Sequence, residues 1–84
     1  MRVVWAPDAW QDYLYWSRTD TRVRDKINTL IDDIQRRRFT GLGKPEPLKR
    51  NLRGFWSRRI TREHRLVYRI ASDVLQIAQC RFHY

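Results

Sequence analysis

The segment Phe39 to Leu48, FTGLGKPEPL, holds two glycines and two prolines within ten residues. Glycine weakens a regular element, and proline lacks the backbone N–H that a helix interior or a central strand requires. Neither a helix nor a strand ladder is therefore expected to run through this segment. It divides the chain into two parts whose apolar residues follow different periods.

The N-terminal part predicts a short strand followed by two helices. Arg2 to Trp5 is strand-like, and Pro7-Asp8 opens a helix for which Asp8 is a suitable N-cap. Ser17 to Asp20 is expected to break this helix, and a second helix is expected over Thr21 to Arg37. The second helix carries one apolar stripe that would cover a face of a sheet, formed by Val23, Ile27, Leu30, Ile31 and Ile34.

The C-terminal part predicts three strands, Phe55 to Ile60, His64 to Ile70 and Val74 to Phe82. The separators TRE and ASD between them suit short antiparallel connections. The order βααβββ predicts a single α+β domain over residues 1–84. In this domain a small antiparallel sheet packs against an N-terminal two-helix hairpin.

Composition excludes several classes of protein. Hydrophobic residues make up 42% of the 84 residues and include four Trp, which is too many for a disordered basic tail. The one cysteine, Cys80, cannot form an internal disulfide or supply a Cys-based zinc site, so a reducing cytoplasm is expected. Met1-Arg2 leads into VVW without a signal-peptide core, and no apolar stretch is long enough to span a bilayer. The sequence thus predicts a cytoplasmic protein without a membrane partner.

The net charge of +9 is concentrated in the second half of the chain. Residues 1–35 hold five Lys or Arg against six Asp or Glu, whereas residues 36–84 hold thirteen against three. A basic field of this kind usually faces a polyanion, and nucleic acid is the favoured one. A solvated, solubilising surface is the alternative, although solubility alone does not require such asymmetry.

Cleavage of RNA through its own 2′-hydroxyl requires a base, a cation that stabilises the phosphorane, and an acid for the departing 5′ oxygen. Glu46 is a candidate base within the basic half. Pro45 and Pro47 stiffen the backbone that presents its carboxylate, and Lys44 and Lys49 would attract a phosphate to it. An exposed loop glutamate without a function is the alternative.

Arg65 is a candidate cation, because EHRLVY places it on a half-buried strand. An arginine there either pairs with a carboxylate, such as Glu63 or Glu46, or faces a ligand. Arg58 and Arg59 point to opposite faces of their strand, so at most one of them shares the surface of Arg65.

His64 and His83 are the two histidines of the chain. His64 lies in a strand and is expected to be structural. An imidazole can give up a proton near neutral pH, so His83 is a candidate acid, held in position by the strand that runs to Phe82. Phe55 and Trp56 are expected in the core rather than as platforms for bases. Residue chemistry alone predicts a nucleic-acid-binding domain and leaves open whether it is also a nuclease.

Five blocks of the sequence resemble a known family: WQDYLYW (10–16), GKPEPLK (43–49), GFWSRRIT (54–61), EHRLVY (63–68) and CRFHY (80–84). Their combination is similar to the YoeB toxins, members of the RelE/ParE superfamily of bacterial toxin–antitoxin pairs. The resemblance covers essentially the whole chain. It implies a RelE-like fold, a small antiparallel sheet with an N-terminal helix pair.

The resemblance also implies an activity, that of a ribosome-dependent mRNA endonuclease that cuts the message in the ribosomal A site after 2′-hydroxyl attack. By position, Glu46 would match the general base of the family and His83 its general acid. Arg65 would match the group that stabilises the scissile phosphate, and Tyr84 would line the same site. No metal and no cofactor is implied.

Lys49 and Arg59 would match the basic residues that hold the RNA backbone. The implied partners are mRNA on the ribosome, with contacts to ribosomal RNA, and a YefM-type antitoxin with a largely acidic C-terminal segment; a homodimer is left open. Arg50 and Arg53 are unexpected in this family and add charge beside Lys49. The alternative is a non-catalytic member of the superfamily, either a nucleic-acid binder or a ParE-like gyrase inhibitor.

Overall fold

The computed structural model describes residues 1–83, and Tyr84 lies outside the described residues. Within them, one five-stranded sheet carries two α-helices against one of its faces. The elements in chain order are β1 (Arg2–Trp5), α1 (Pro7–Thr19), α2 (Thr21–Arg36), β2 (Glu46–Pro47), a 3₁₀ turn (Arg50–Leu52), β3 (Trp56–Arg59), β4 (Arg65–Ala71) and β5 (Val74–Gln79).

Helix α1 begins at Pro7, and its N-cap is Ala6 rather than the predicted Asp8. Proline suits the first helical position because its missing N–H would have no partner there and its φ is already helical. Asp8 instead lies in the first turn, where a carboxylate interacts favourably with the helix dipole. No helix within residues 1–83 has the length and apolar character needed to cross a membrane.

The two helices are separated by one residue, Asp20, rather than by the whole of Ser17 to Asp20. Ser17 and Thr19 stay helical, and their hydroxyls donate to the carbonyl oxygens four residues earlier. Asp20 has an extended backbone, and its carboxylate accepts from the Arg22 N–H at 3.1 Å. Asp20 therefore ends α1 and caps α2, which produces the tight helix pair.

The strand order is β1-β5-β4-β3-β2. Strands β2 to β5 pair antiparallel with their neighbours, whereas β1 runs parallel to β5. The α+β class and the helix pair are confirmed, and the sheet is mixed rather than antiparallel throughout. The helix pair carries the chain from β1 at one edge to β2 at the other edge, so β1 pairs with the strand farthest from it in sequence.

Strand β2 lies inside the segment in which no strand was expected, and that expectation was wrong for two residues. Glu46 pairs with Ser57, and Pro47 pairs with Trp56. Proline is tolerated because β2 is an edge strand, where a missing N–H removes no bond from the interior of the sheet. The short pairing fixes the backbone on both sides of Glu46.

The core lies between the helix pair and one face of the sheet. The predicted stripe of α2 contributes Ile27, Leu30, Ile31 and Ile34 as buried residues, and the sheet contributes Leu66, Tyr68, Leu75 and Ile77. Trp56 packs against this core as predicted. Phe55 is half-buried outside it, with the Arg69 guanidinium 5.1 Å from the centre of its ring.

A buried arginine, Arg58, lies at the polar centre of this core and is 0% exposed. Its NH1 atom donates to Asp33 Oδ2 at 2.6 Å and to the Leu42 carbonyl oxygen at 3.1 Å. Its NH2 atom donates to the carbonyl oxygens of Arg37 and Thr40 at 2.6 and 2.8 Å. These bonds attach the loop 37–42 to the sheet, and this loop leads directly to β2.

The partner carboxylate, Asp33, is itself fully hydrogen-bonded. Hydrogen bonds from Arg37, from the Leu42 N–H and from Arg58 hold the pKa of Asp33 well below its ordinary value, against the opposing effect of burial. Gly41 has a φ of +103°, and a Cβ there would clash with Asp33 Oδ2. The loop can therefore close over the carboxylate only with glycine at this position.

Candidate active site

Two arginines lie side by side on the sheet face that points away from the helices. Arg59 of β3 pairs in register with Arg65 of β4, and Glu46 of β2 pairs with Ser57, two residues before Arg59. Because side chains alternate along a strand, Glu46, Arg59 and Arg65 project from the same face. Strand geometry puts the Cα atoms of Glu46 and Arg65 roughly 12 Å apart. Their long side chains could reach the same RNA linkage from two sides.

The guanidinium group of Arg65 has a buried donor without an acceptor. Its Nε atom is shielded from solvent and meets no hydrogen-bond acceptor among residues 1–83. Leaving such a donor unsatisfied costs about 1–3 kcal/mol, so it is uncommon in native proteins. The donor suits an acceptor that a ligand would supply, such as a phosphate oxygen.

Glu46 and Lys49 line one open depression of about 410 Å³ between β2 and the 3₁₀ turn. Arg50 lines the same depression, whereas Arg53 is exposed beyond its lining. The segment is anchored by Leu48, which is buried and whose N–H donates to the Phe55 carbonyl oxygen at 2.9 Å. The candidate base therefore lies beside two cations that would attract a phosphate.

Strand β5 ends at Gln79, so the predicted strand was too long by three residues. The register between β4 and β5 shifts where Ala78 is inserted as a β-bulge. The bulge turns Gln79 toward the face that carries Arg65, and the Gln79 amide donates to the Arg81 carbonyl oxygen at 3.1 Å. The chain then leaves the sheet in a turn.

Phe82 is held by backbone hydrogen bonds rather than by burial, because its side chain is 58% exposed. Its carbonyl oxygen accepts from the Arg65 N–H at 3.0 Å, and its own N–H donates to His64 Nδ1 at 2.7 Å. His83 follows directly and is exposed. The peptide group that joins Phe82 to His83 is therefore hydrogen-bonded to the Arg65 backbone, which places the backbone of the candidate acid next to Arg65. Tyr84 lies outside the described residues.

The buried Cys80 is not a candidate nucleophile. Burial, with a smaller effect from the nearby Asp12 carboxylate, raises the pKa of the Cys80 thiol to about 12, so the thiol stays protonated. Within residues 1–83, no three His, Cys, Asp or Glu side chains come together as ligands of a metal ion would.

Comparison with known proteins places this chain in a family. The family model described as a YoeB-like toxin of bacterial type II toxin-antitoxin systems matches residues 5–84. The chain belongs to this family. Toxin YoeB of Escherichia coli strain K12 is 61% identical over 84 residues, which is 100% of both chains.

Solved structures of YoeB toxins share the fold. A YoeB/ParE toxin from Agrobacterium tumefaciens has a TM-score of 0.98 and 55% identity, with 100% of both chains covered. YoeB from Staphylococcus aureus was solved in a heterotetrameric complex with YefM and as a dimer, with TM-scores of 0.93 and 0.94. Each is 44% identical to this chain, with 100% of this chain and 98% of the other covered.

In this YoeB-like toxin the residues predicted for the site fall close together. Glu46, Arg59 and Arg65 project from one face, Lys49 shares a depression with Glu46, and His83 begins beside Arg65. Their positions are thus compatible with one site, and their chemical roles stay predictions.

The network around Arg58 was missed by sequence reasoning, although two signals pointed to it. Asp33 lies directly before Ile34 at the edge of an apolar stripe, and Arg58 takes the inward position of a strand in which Arg59 faces outward. A carboxylate and an arginine at inward positions of packed elements indicate a buried ion pair. Its function here is to hold the loop that precedes β2.

Proposed function

We propose that this YoeB-like toxin is an mRNA endonuclease that inhibits translation by cutting the message in the A site of the translating ribosome. The observation that carries the proposal is the shared face of Glu46 and Arg65, with His83 beginning beside Arg65. A protein that only bound RNA would have no use for an acid–base pair at one site, which the Glu46 carboxylate and the His83 imidazole would supply here.

The proposed reaction is an attack of the ribose 2′-oxygen on the adjacent phosphate. The Glu46 carboxylate takes the 2′-hydroxyl proton, and Arg65 stabilises the negative charge that develops on the phosphate oxygens. His83 gives a proton to the departing 5′ oxygen, and the resemblance to YoeB toxins assigns Tyr84, which lies outside the described residues, to the same site. These side chains supply each proton and charge function, so no step is assigned to a metal.

RNA binding is assigned to the cations that surround the reacting groups. Arg59 is exposed directly opposite Arg65, and Lys49 is exposed in the depression beside Glu46. Lysine and arginine at such positions contact phosphates without reading bases. Arg50 lines the same depression and adds a further contact to the message or to ribosomal RNA.

The toxin is expected to cut translating message far faster than free RNA. Glu46 is exposed, and a solvated carboxylate is a weak base toward a hydroxyl, so the bound RNA must be held in the reactive geometry. The ribosome would supply that geometry. The measurement is single-turnover cleavage of one 5′-labelled message, free and on programmed ribosomes, with the cut positions mapped.

Cuts at codon-fixed positions on ribosomes, and slow scattered cuts on free RNA, are the expected result. The Glu46→Gln variant, purified in the same way, controls for contaminating nucleases. Equal rates on free and ribosome-bound message would rule out ribosome dependence, and no cleavage of either would rule out the endonuclease.

The proposed partner in the cytoplasm is a YefM-type antitoxin. The S. aureus YoeB–YefM complex and the excess of basic residues on this chain support an acidic partner. Adding an equimolar amount of the antitoxin is expected to abolish cleavage, and its affinity for the toxin should fall as the salt concentration rises.

The S. aureus YoeB dimer supports a homodimer of this toxin, which sedimentation of the free toxin at several concentrations would detect.

A further inference from the structure

The turn between β5 and His83 is attached to α1 at its start. The Cys80 N–H donates to Asp12 Oδ2 at 3.1 Å, and the Trp16 indole N–H donates to the Cys80 carbonyl oxygen at 2.9 Å. The Arg81 guanidinium lies 3.5 Å from the centre of the Tyr15 ring, within the range of a cation–π contact. One face of α1 therefore holds the first half of the turn.

The second half of the turn is held by two consecutive residues, His64 and Arg65. Both backbone polar groups of Phe82 are used, since its N–H donates to His64 Nδ1 at 2.7 Å and its carbonyl oxygen accepts from the Arg65 N–H at 3.0 Å. Phe82 has a φ of +64°, a conformation that costs free energy for a residue other than glycine. Without these bonds Phe82 would relax toward ordinary backbone angles, and His83 would move with it.

Neighbouring residues hold both the imidazole ring and the backbone of His64. The Trp16 ring meets it edge-on, with the ring centres 4.8 Å apart. The His64 backbone N–H donates to Thr61 Oγ1 at 3.2 Å, and its carbonyl oxygen accepts from the Ile60 N–H at 3.0 Å. Because Nδ1 accepts a hydrogen bond, the imidazole proton lies on Nε2. His64 therefore presents a single acceptor at a fixed place.

We propose that His64 is a positioning residue for the cleavage reaction, acting through its Nδ1 bond to Phe82 to hold His83 in register with Arg65. This role rests on the endonuclease activity proposed above. An acid must stand within hydrogen-bond reach of the leaving oxygen, and a displacement of about 1 Å can cost about 10²-fold in rate. Since Arg65 follows His64 in the chain, the same strand would align the phosphate-stabilising group and the acid.

Two substitutions separate the hydrogen bond from the bulk of the side chain. His64→Asn places an amide oxygen close to the position of Nδ1, whereas His64→Leu keeps apolar bulk and removes the acceptor. His64→Leu is expected to lower the saturating single-turnover rate on programmed ribosomes by about 10²-fold with little change in ribosome affinity. His64→Asn is expected to restore most of the rate, which a purely steric role for the ring would not allow.

Hydrogen exchange of the Phe82 amide gives a readout that does not depend on activity. The amide should be protected in the wild type and in His64→Asn, and unprotected in His64→Leu while the amides of β3 and β4 stay protected. A wild-type rate in His64→Leu, a failure of His64→Asn to rescue, or a protected Phe82 amide in His64→Leu would each overturn the positioning role.

If His64→Leu does not fold, the ¹⁵N spectrum of the wild-type imidazole decides instead, because a proton on Nδ1 would overturn the assignment and a proton on Nε2 would support it. A wild-type protein that cuts no message overturns the endonuclease and with it the positioning role. A wild type that cuts, beside a His64→Leu variant of equal rate, overturns the positioning role alone.

Discussion

Replacing Glu46 by Gln is expected to lower the saturating rate of mRNA cleavage on ribosomes by about 10²–10⁴-fold, the usual contribution of one acid–base group. Glutamine has nearly the same shape but cannot take a proton from the 2′-hydroxyl. Glu46 is exposed on a two-residue edge strand, so the change should leave the fold intact. Single-turnover cleavage with saturating toxin isolates the chemical step.

Lys49→Ala is the matched control, because Lys49 lines the same depression and is assigned to binding. It should weaken ribosome or RNA binding and reduce the salt dependence of binding by about one phosphate contact, with a smaller effect on the saturating rate. If Glu46→Gln lost binding but kept its saturating rate, Glu46 would be a binding residue and the base would lie elsewhere.

Replacing Arg58 by Met is expected to destabilise the fold by about 3–5 kcal/mol, the cost of breaking a buried ion pair by removing one partner. Arg58 is fully buried, and its loss would remove one of the donors of the Asp33 carboxylate and would leave carbonyl oxygens of the loop 37–42 without a donor. For a domain of this size the melting temperature should fall by more than about 10 °C. Thermal unfolding followed by circular dichroism measures the effect.

Two control variants test whether the loss of stability in Arg58→Met comes from the buried ion pair. Arg59→Met, next to Arg58 but on the exposed face, should change the melting temperature by no more than about 2–4 °C. The double variant Asp33→Asn/Arg58→Met should recover part of the loss, because it no longer buries a carboxylate that has lost one of its two arginine partners. An Arg58→Met protein as stable as Arg59→Met would show that the buried network contributes nothing.

Lowering the pH should also weaken the stability that the hydrogen bonds between Asp33 and Arg58 contribute. The pKa of Asp33 is lowered in the folded protein, so its contribution to stability is complete above the ordinary carboxyl pKa of about 3.9 and is lost as the pH falls below it. Arg58→Met removes one of the donors that lower this pKa. The variant should therefore lose less of its remaining stability on acidification than the wild type does.

The sequence by itself determined the features that depend on local periodicity and local chemistry. The stripe from Ile27 to Ile34 marked the face of α2 that is buried, because an amphipathic helix turns its apolar stripe toward the core. The alternation along β3 placed Arg58 and Arg59 on opposite faces, since side chains alternate in any strand. The roles of Glu46, Arg65 and His83 came from the resemblance to YoeB toxins, because residue chemistry alone left binding and catalysis both open.

Tertiary structure alone decided which distant groups meet. The parallel pairing of β1 with β5 depends on the path of the helix pair across the sheet, and no local pattern near Arg2 encodes it. The contact between Asp33 and Arg58 joins residues 25 positions apart. Charged residues are usually expected at the surface, but this contact places Arg58 in the core. The bond from Phe82 to His64 likewise depends on the bulge at Ala78, which shifts the pairing of the following residues with β4 by one position. These three contacts depend on the path of the backbone over many residues. Local patterns of side chains in the sequence do not determine that path.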